Sequence, residues 1–562
     1  MRIIDKINRI DFKEDELNSL LQNLDNLIEK LANSSSFERE QIITKINALR
    51  DHYLTLYWCS YLGYLKNIKD EKYLQSEELF GKIDSQYNNL IYRYYSLIGN
   101  DAFIPIVGKR TVDIAHNQSI LLNSANDPLI KREKELCREY RKLIISVKGM
   151  FEGEEVTLSQ LDSKLNDTNR ETRKKAYDTR YAILSSLSPD IERIMLELLN
   201  VRTQIANNLN LDNYTQYGFI KMNRLGYSEE DINTFRENII KHFVPLLDRL
   251  RKEQQKRCNL ESINYYDEKF LFPDGNAQIK YSLEELIELL KDIFKIVNND
   301  LSSLFNDMYK GGLIDLEDRE DKSKGGLTTY LPDFQYPTFI KKYLGLEDNF
   351  TSITHEFGHS TQLFYSKDKK YHENRWPTFD ICEIHSTCME LLLYPYLDKI
   401  FGKDTSKYCI SHLERLVELI IKMCAIDEFQ SRLYREKPST PEAINQLWKN
   451  IYLKYYPNNN YKHSYYELGI MWQSDINRFD DAFYGIDYSL DTICALSFYQ
   501  KSLRDKENAF KEYIELCQDG GEISLKEIID KYKLSSPFKE SDIKDLSIFL
   551  ENEIKKYSLE LK

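Results

Sequence analysis

The chain has 562 residues, long enough by that measure for two to four domains, with only 20 glycines and 13 prolines to punctuate it. Such a composition leaves little room for a sandwich, a barrel or a long disordered linker, and a net charge of −13 argues against a nucleic-acid partner, because phosphate binding needs a basic surface. The nine cysteines are odd in number, scattered and without a CxxC pair, which fits free thiols in a reducing compartment better than a disulfide framework. No signal-peptide run opens the chain and no apolar stretch reaches membrane-spanning length. The expectation is a soluble cytoplasmic protein with no membrane partner.

From the N-terminus, Leu17, Leu20, Leu21, Leu24, Leu27, Ile28 and Leu31 recur at helical spacing and predict an amphipathic helix that "NSSS" at 33–36 ends. Similar stretches predict helices over 38–64, 73–98, 125–146, 168–208, 229–258, 283–308, 405–434 and 441–455. The exception is "GGLTTYLPDFQYPTFIKKYL" at 325–344, whose β-branched and aromatic residues predict a small strand or hairpin region. Pro332 and Pro337 within it predict edge strands. An edge strand beside a catalytic site can pair with an extended peptide, while a purely structural hairpin is the plain alternative.

Just beyond lies "ITHEFGHSTQLFYS" at 353–366. On a helix, residues four apart share a face, so His355 and His359 can both present nitrogens to one ion. Glu356 stands about 100° further round, close enough to deprotonate a water without ligating the ion. A catalytic zinc takes three protein ligands and keeps one open position. The metzincin pattern fails, because Gln362 and Tyr365 stand where it needs glycine and histidine. The remaining candidates downstream are His372, Glu373, Asp380, Glu383, His385 and Glu390. "TFDICEIHSTCMELLLYPYL" predicts a second helix from near Thr378 to near Pro395, with Glu383, Ser386 and Glu390 as a polar stripe. Glu383 and Glu390 lie about 10 Å apart along that axis, so one ligates and the other supports. His385 falls on the other side and reads as a packing group or a support to the ligands rather than a ligand.

HEFGHS followed by CEIHSTCMELL resembles the oligoendopeptidase F branch of the thimet-oligopeptidase-like zinc metallopeptidases. GGLTTYLPDF, AIDEF (425–429), FYGIDY (483–488) and ELCQDGGEISLKEII extend the resemblance over about residues 150 to 545, in the family's order. It implies Glu383 as the third zinc ligand and Glu390 as a carboxylate that orients the ligand imidazoles. It also implies a mainly α-helical, two-lobed peptidase with a deep substrate channel, a small β region near the active site and one Zn²⁺ per chain. An N-terminal helical region (1–150) would precede a catalytic domain (151–562), and the substrates would be short peptides.

The family's oxyanion segment is similar to "WQRQxHIFxxPFYYIDYxxAQ", whereas this chain reads "WQSDINRFDDAFYGIDYSLDT". Asn477 stands for the histidine, Ala482 for the proline, Gly485 for one tyrosine and Asp491 for the glutamine, while Tyr484 and Tyr488 remain. A continuous helix here would put 477, 481, 484 and 488 on one stripe. The resemblance then implies Tyr484 and Tyr488 as oxyanion donors, together with Asn477, whose uncharged amide either weakens catalysis, retunes it or is offset by Tyr484, Tyr488 or His463. The family's loop before HExxH is "LGLEDN" (344–349) here, matching only at Gly345. Two functions follow as expectations: a zinc-dependent endopeptidase of short oligopeptides, or a zinc-bound peptide-binding protein whose oxyanion segment has diverged.

Overall fold

The computed structural model describes residues 2–561 except 163, 324, 325, 460 and 476, and the side chain of Asn477 also lies outside the described part. The fold is mainly α, and among the described residues the strands form two small sheets. Strands β1 (Lys148–Phe151) and β2 (Glu154–Thr157) form a hairpin, and β3 (Ile314–Asp315), β4 (Leu327–Leu331) and β5 (Tyr336–Ile340) form a sheet of order β3-β5-β4. Among the described residues no helix is long and apolar enough to cross a membrane.

The chain divides into two compact units that interleave in sequence. The first comprises Met1–Leu122, Gln278–Thr405 and Cys494–Leu534. It opens with helices Glu14–Ala32, Ser36–Lys66, Glu71–Ile98 and Lys109–Ser119, whose apolar stripes meet in a core that includes Leu21, Leu24, Ile43, Phe80 and Tyr94. The "NSSS" break is real, and Ser35 turns it into a start: with Glu38 it forms a reciprocal capping box on the next helix. The stretch predicted as one helix over 283–308 is two, Leu283–Val297 and Asn299–Gly311. Asn298 is extended, and its side chain accepts from the Asp300 and Leu301 amides, so it caps the second helix and ends the first.

Within the stretch 325–344, whose residue 325 lies outside the described residues, the expected hairpin forms over Leu327–Ile340, with Tyr330 opposite Pro337 across β4 and β5. Its prolines do not both mark edges, however: Pro337 sits in β5, the central strand. The amides of Phe339 and Lys341 donate to Leu313 and Asp315 on the β3 side. By the two-residue period of a strand, the N–H that Pro337 lacks would point the same way, one step beyond the end of β3. Beside so short a neighbour, a proline in the central strand removes no β3–β5 ladder bond.

The second unit comprises Asn123–Ala277, Ser406–Ile493 and Ser535–Lys562. The stretch predicted over 168–208 breaks into Arg170–Ser186 and Ser188–Asn208, with Pro189 in the first turn of the latter. A tyrosine-rich core includes Tyr177, Tyr181, Tyr265, Tyr461 and Tyr465.

The expectation of one helix carrying 477, 481, 484 and 488 is overturned. A single turn, Asn477–Asp480, is followed by non-helical residues before the helix Ile486–Ser502 begins. Phe483 has φ of 69°, its N–H donates to Gln430 Oε1 at 2.9 Å, and its carbonyl accepts from Arg224. Gly218 makes room for the ring, since a Cβ there would stand 2.3 Å from it. These partners are remote in sequence, so the local pattern could not announce the turn.

Candidate metal centre

Two helices of the first unit build the centre. The helix Glu347–Tyr365 carries His355, Glu356 and His359, and the helix Phe379–Leu392 carries Glu383, Ser386 and Glu390. "LGLEDN" is the start of the former. Gly345 takes φ of 74°, and Asn349 Oδ1 accepts from the Leu344 and Leu346 amides at 2.7 and 3.0 Å.

Close approach of the helices depends on Gly358. A Cβ there would stand 2.6 Å from Ser386 Cα and 2.7 Å from the His385 carbonyl oxygen. Only glycine lets the backbones come so near, and the ligand side chains are short enough to meet because of it. Residues 366–378 join the two helices. Gln362 and Ser366 both donate to the Arg375 carbonyl, Arg375 pairs with Asp51 at 2.6 Å, and Arg50 pairs with Glu373 at 2.7 Å. Glu373, one of the sequence candidates for a ligand, is thereby committed to Arg50 and to the Tyr95 hydroxyl.

Nε2 of His355 and Nε2 of His359 lie 3.1 and 3.3 Å from Glu383 Oε2. One ligand atom from each residue falls within 4.8 Å of the others. Ser386 Oγ donates to the same Glu383 oxygen at 2.8 Å. Glu390 Oε1 lies 2.7 Å from His355 Nδ1. An ionised carboxylate only accepts, so Nδ1 carries a proton, and Nε2 is the nitrogen turned towards Glu383. Burial pulls the His355 imidazolium down, but the Glu383 and Glu390 carboxylates outweigh it and hold the group well above its ordinary range. Burial pushes the Glu383 carboxyl up, yet His359 and His355 hold it well below. Two imidazoles and a carboxylate gathered at this spacing match the donors of a catalytic zinc with a fourth position open. The residues present fit such an ion.

Glu356 is 8% exposed, and its Oε2 accepts from Thr328 Oγ1 of β4 at 2.6 Å. The sequence reading missed Thr328, whose only signal was its place in "GGLTTYL". His385 is buried, with Nδ1 3.3 Å from the Cys382 carbonyl and its imidazolium pushed down to about 4, chiefly by burial. His463 belongs to the second unit and caps a short helix there, Nδ1 accepting from the Tyr465 amide at 3.1 Å. Tyr484 and Tyr488, also in that unit, join hydroxyls at 2.8 Å. Asn477 falls outside the described side chains.

A helical fold with an HExxH helix packed on a glutamate-bearing helix defines a class, the metallopeptidases whose third ligand comes from a separate helix. The profile described as peptidase family M3 matches residues 164–548, and that of the peptidase M3 N-terminal domain matches 7–113. The chain belongs to peptidase family M3, in its oligoendopeptidase F branch. Oligopeptidase PepF of Bacillus subtilis is 22% identical over 384 residues, a match covering 65% of this chain and 54% of the relative. The chain thus spans about half the length of that curated relative. PZ peptidase A, solved with an inhibitor, is 29% identical with a TM-score of 0.91 and covers 98% of this chain and 99% of its own. A Bacillus anthracis protein assigned to oligoendopeptidase F is 29% identical with a TM-score of 0.87, covering 98% of each chain.

Proposed function

We propose that this chain is a zinc-dependent endopeptidase that hydrolyses internal bonds of short oligopeptides. The observation that carries the reading is the convergence of His355, His359 and Glu383 within 4.8 Å, with Glu356 one residue from the first of them. These three side chains would hold the ion. When bound there, zinc polarises the scissile carbonyl and acidifies the attacking water. Glu356 takes that water's proton and returns it to the leaving amine, a general acid–base role worth roughly 10²–10⁴ in rate. Glu390 keeps His355 in the tautomer that ligates through Nε2. Tyr484 and Tyr488, with Asn477, donate hydrogen bonds to the oxyanion, and losing one such donor costs about 10²–10³ in turnover. The chemistry is assigned to residues 151–562, with the helices of 1–150 in a supporting role. A reducing, cytoplasmic location completes the reading, supported by nine buried cysteines, none of them in a disulfide among the described residues.

The test is cleavage of quenched fluorescent peptides by protein of known zinc content. Peptide hydrolysis should vanish in a chelator and fall at least about 100-fold in Glu356→Gln, which keeps its zinc. Hydrolysis that survives both treatments refutes the reading. A zinc-loaded wild type that cuts nothing, while Asn477→His cuts, would make the protein a peptide binder instead.

A further inference from the structure

Thr328 lies in β4 opposite Phe339 of β5 and is buried. Its Oγ1 is 2.6 Å from Glu356 Oε2 and 3.2 Å from the Glu356 carbonyl oxygen. A threonine hydroxyl has one proton, and the shorter contact, to a charged acceptor, takes it. Threonine is β-branched and stiff at χ1, so the ladder that fixes β4 also fixes the direction of the hydroxyl.

The other carboxylate oxygen has different surroundings. A Cβ at Gly326 would stand 2.7 Å from Glu356 Oε1 and 2.6 Å from Lys341 Cδ. Oε1 therefore lies in space that a side chain at 326 would take, and Lys341 Nζ stands 3.0 Å from that same point. One short piece of chain treats the two oxygens differently: it donates a hydrogen bond to Oε2 and meets Oε1 with a residue that has no side chain and donates it none.

We propose that Thr328 is a positioning residue for Glu356, engaging Oε2 so that Oε1, on the Gly326 side, is the oxygen that carries the proton. The inference rests on the hydrolase reading above. Oε1 gains a proton from water as the new C–O bond forms, and gives it to the departing nitrogen as the C–N bond breaks. Thr328 keeps its own proton throughout.

Full-length, zinc-loaded wild type, Thr328→Val and Thr328→Ser decide the matter, through kcat, KM, zinc content and a crystal structure of each. Valine preserves shape and removes the hydroxyl. Its kcat should fall about 10–100-fold, the loss typical of a misaligned reacting group. KM should stay within about twofold, which separates orientation from substrate binding. Zinc content should not change, and the Glu356 carboxylate should leave its wild-type rotamer. Serine should restore both kcat and rotamer. An unmoved Glu356 in Thr328→Val, a wild-type kcat there, or a serine variant as poor as valine overturns the proposal. If the wild type cuts no peptide, the hydrolase reading fails on its own, and the Glu356 rotamers still decide whether Thr328 orients that side chain.

Discussion

The half-buried hydrogen bond from His355 Nδ1 to Glu390 is 2.7 Å long, and it turns the other imidazole nitrogen, Nε2, towards Glu383. Glu390→Ala should weaken zinc binding about 10–100-fold, the usual cost of losing such a partner, as read by competition with a chelator of known affinity. Unchanged affinity would mean that Glu390 serves packing alone. At this scale the sequence was legible wherever contacts follow helical periodicity. His355 and His359 share a face by spacing, and the Glu383, Ser386 and Glu390 stripe does so too. Choosing Glu383 over Glu390 took the family resemblance, because their separation excludes joint ligation without ranking them. Thr328 was illegible: it reaches Glu356 from a strand 28 residues earlier, and no period links strand to helix.

Among the elements, the packing of the two ligand helices hinges on Gly358. In an ordinary helix interior, glycine to alanine adds about 0.5–1 kcal/mol of stability. Here the added methyl would meet backbone at 2.6 Å, so Gly358→Ala should instead destabilise by roughly 1–3 kcal/mol. Thermal unfolding of metal-free protein measures the sign, and zinc affinity should drop alongside as the ligands part. A stabilised variant would show that the helices can spread freely. Element existence was readable from periodicity, while breaks were readable only where a cap or proline stands at the joint. Pro189 and Asn298 were such marks, both overlooked within long apolar patterns. The turn at Phe483 had no mark at all, being held by Gln430 and Arg224 from distant parts of the sequence. Pro337 misled because a proline's tolerance depends on the length of the neighbouring strand.

Over the whole molecule, the N-terminal helices bear on the metal centre through the segment that joins its two helices. Arg50 lies on Ser36–Lys66 and pairs with Glu373 with both side chains 3% exposed. Burial pushes the Glu373 carboxyl up, but Arg50 overrides it and holds the group at about 2, against an ordinary 4.5. A carboxylate depressed on folding stabilises fully above its unfolded value, and that contribution disappears as pH falls from 4.5 towards 2. Glu373→Gln should therefore cost about 3–5 kcal/mol near neutrality, because it strands a buried guanidinium. The gap to wild type should close across that acid window in denaturant titrations. A gap independent of pH would contradict the pairing. The most direct test of the central claim is a zinc-edge anomalous diffraction map from crystals of the full chain. One peak should appear about 2.0–2.2 Å from Nε2 of His355, Nε2 of His359 and the Glu383 carboxylate. A loaded crystal with no peak there, or with Glu383 turned away from the ion, would contradict it.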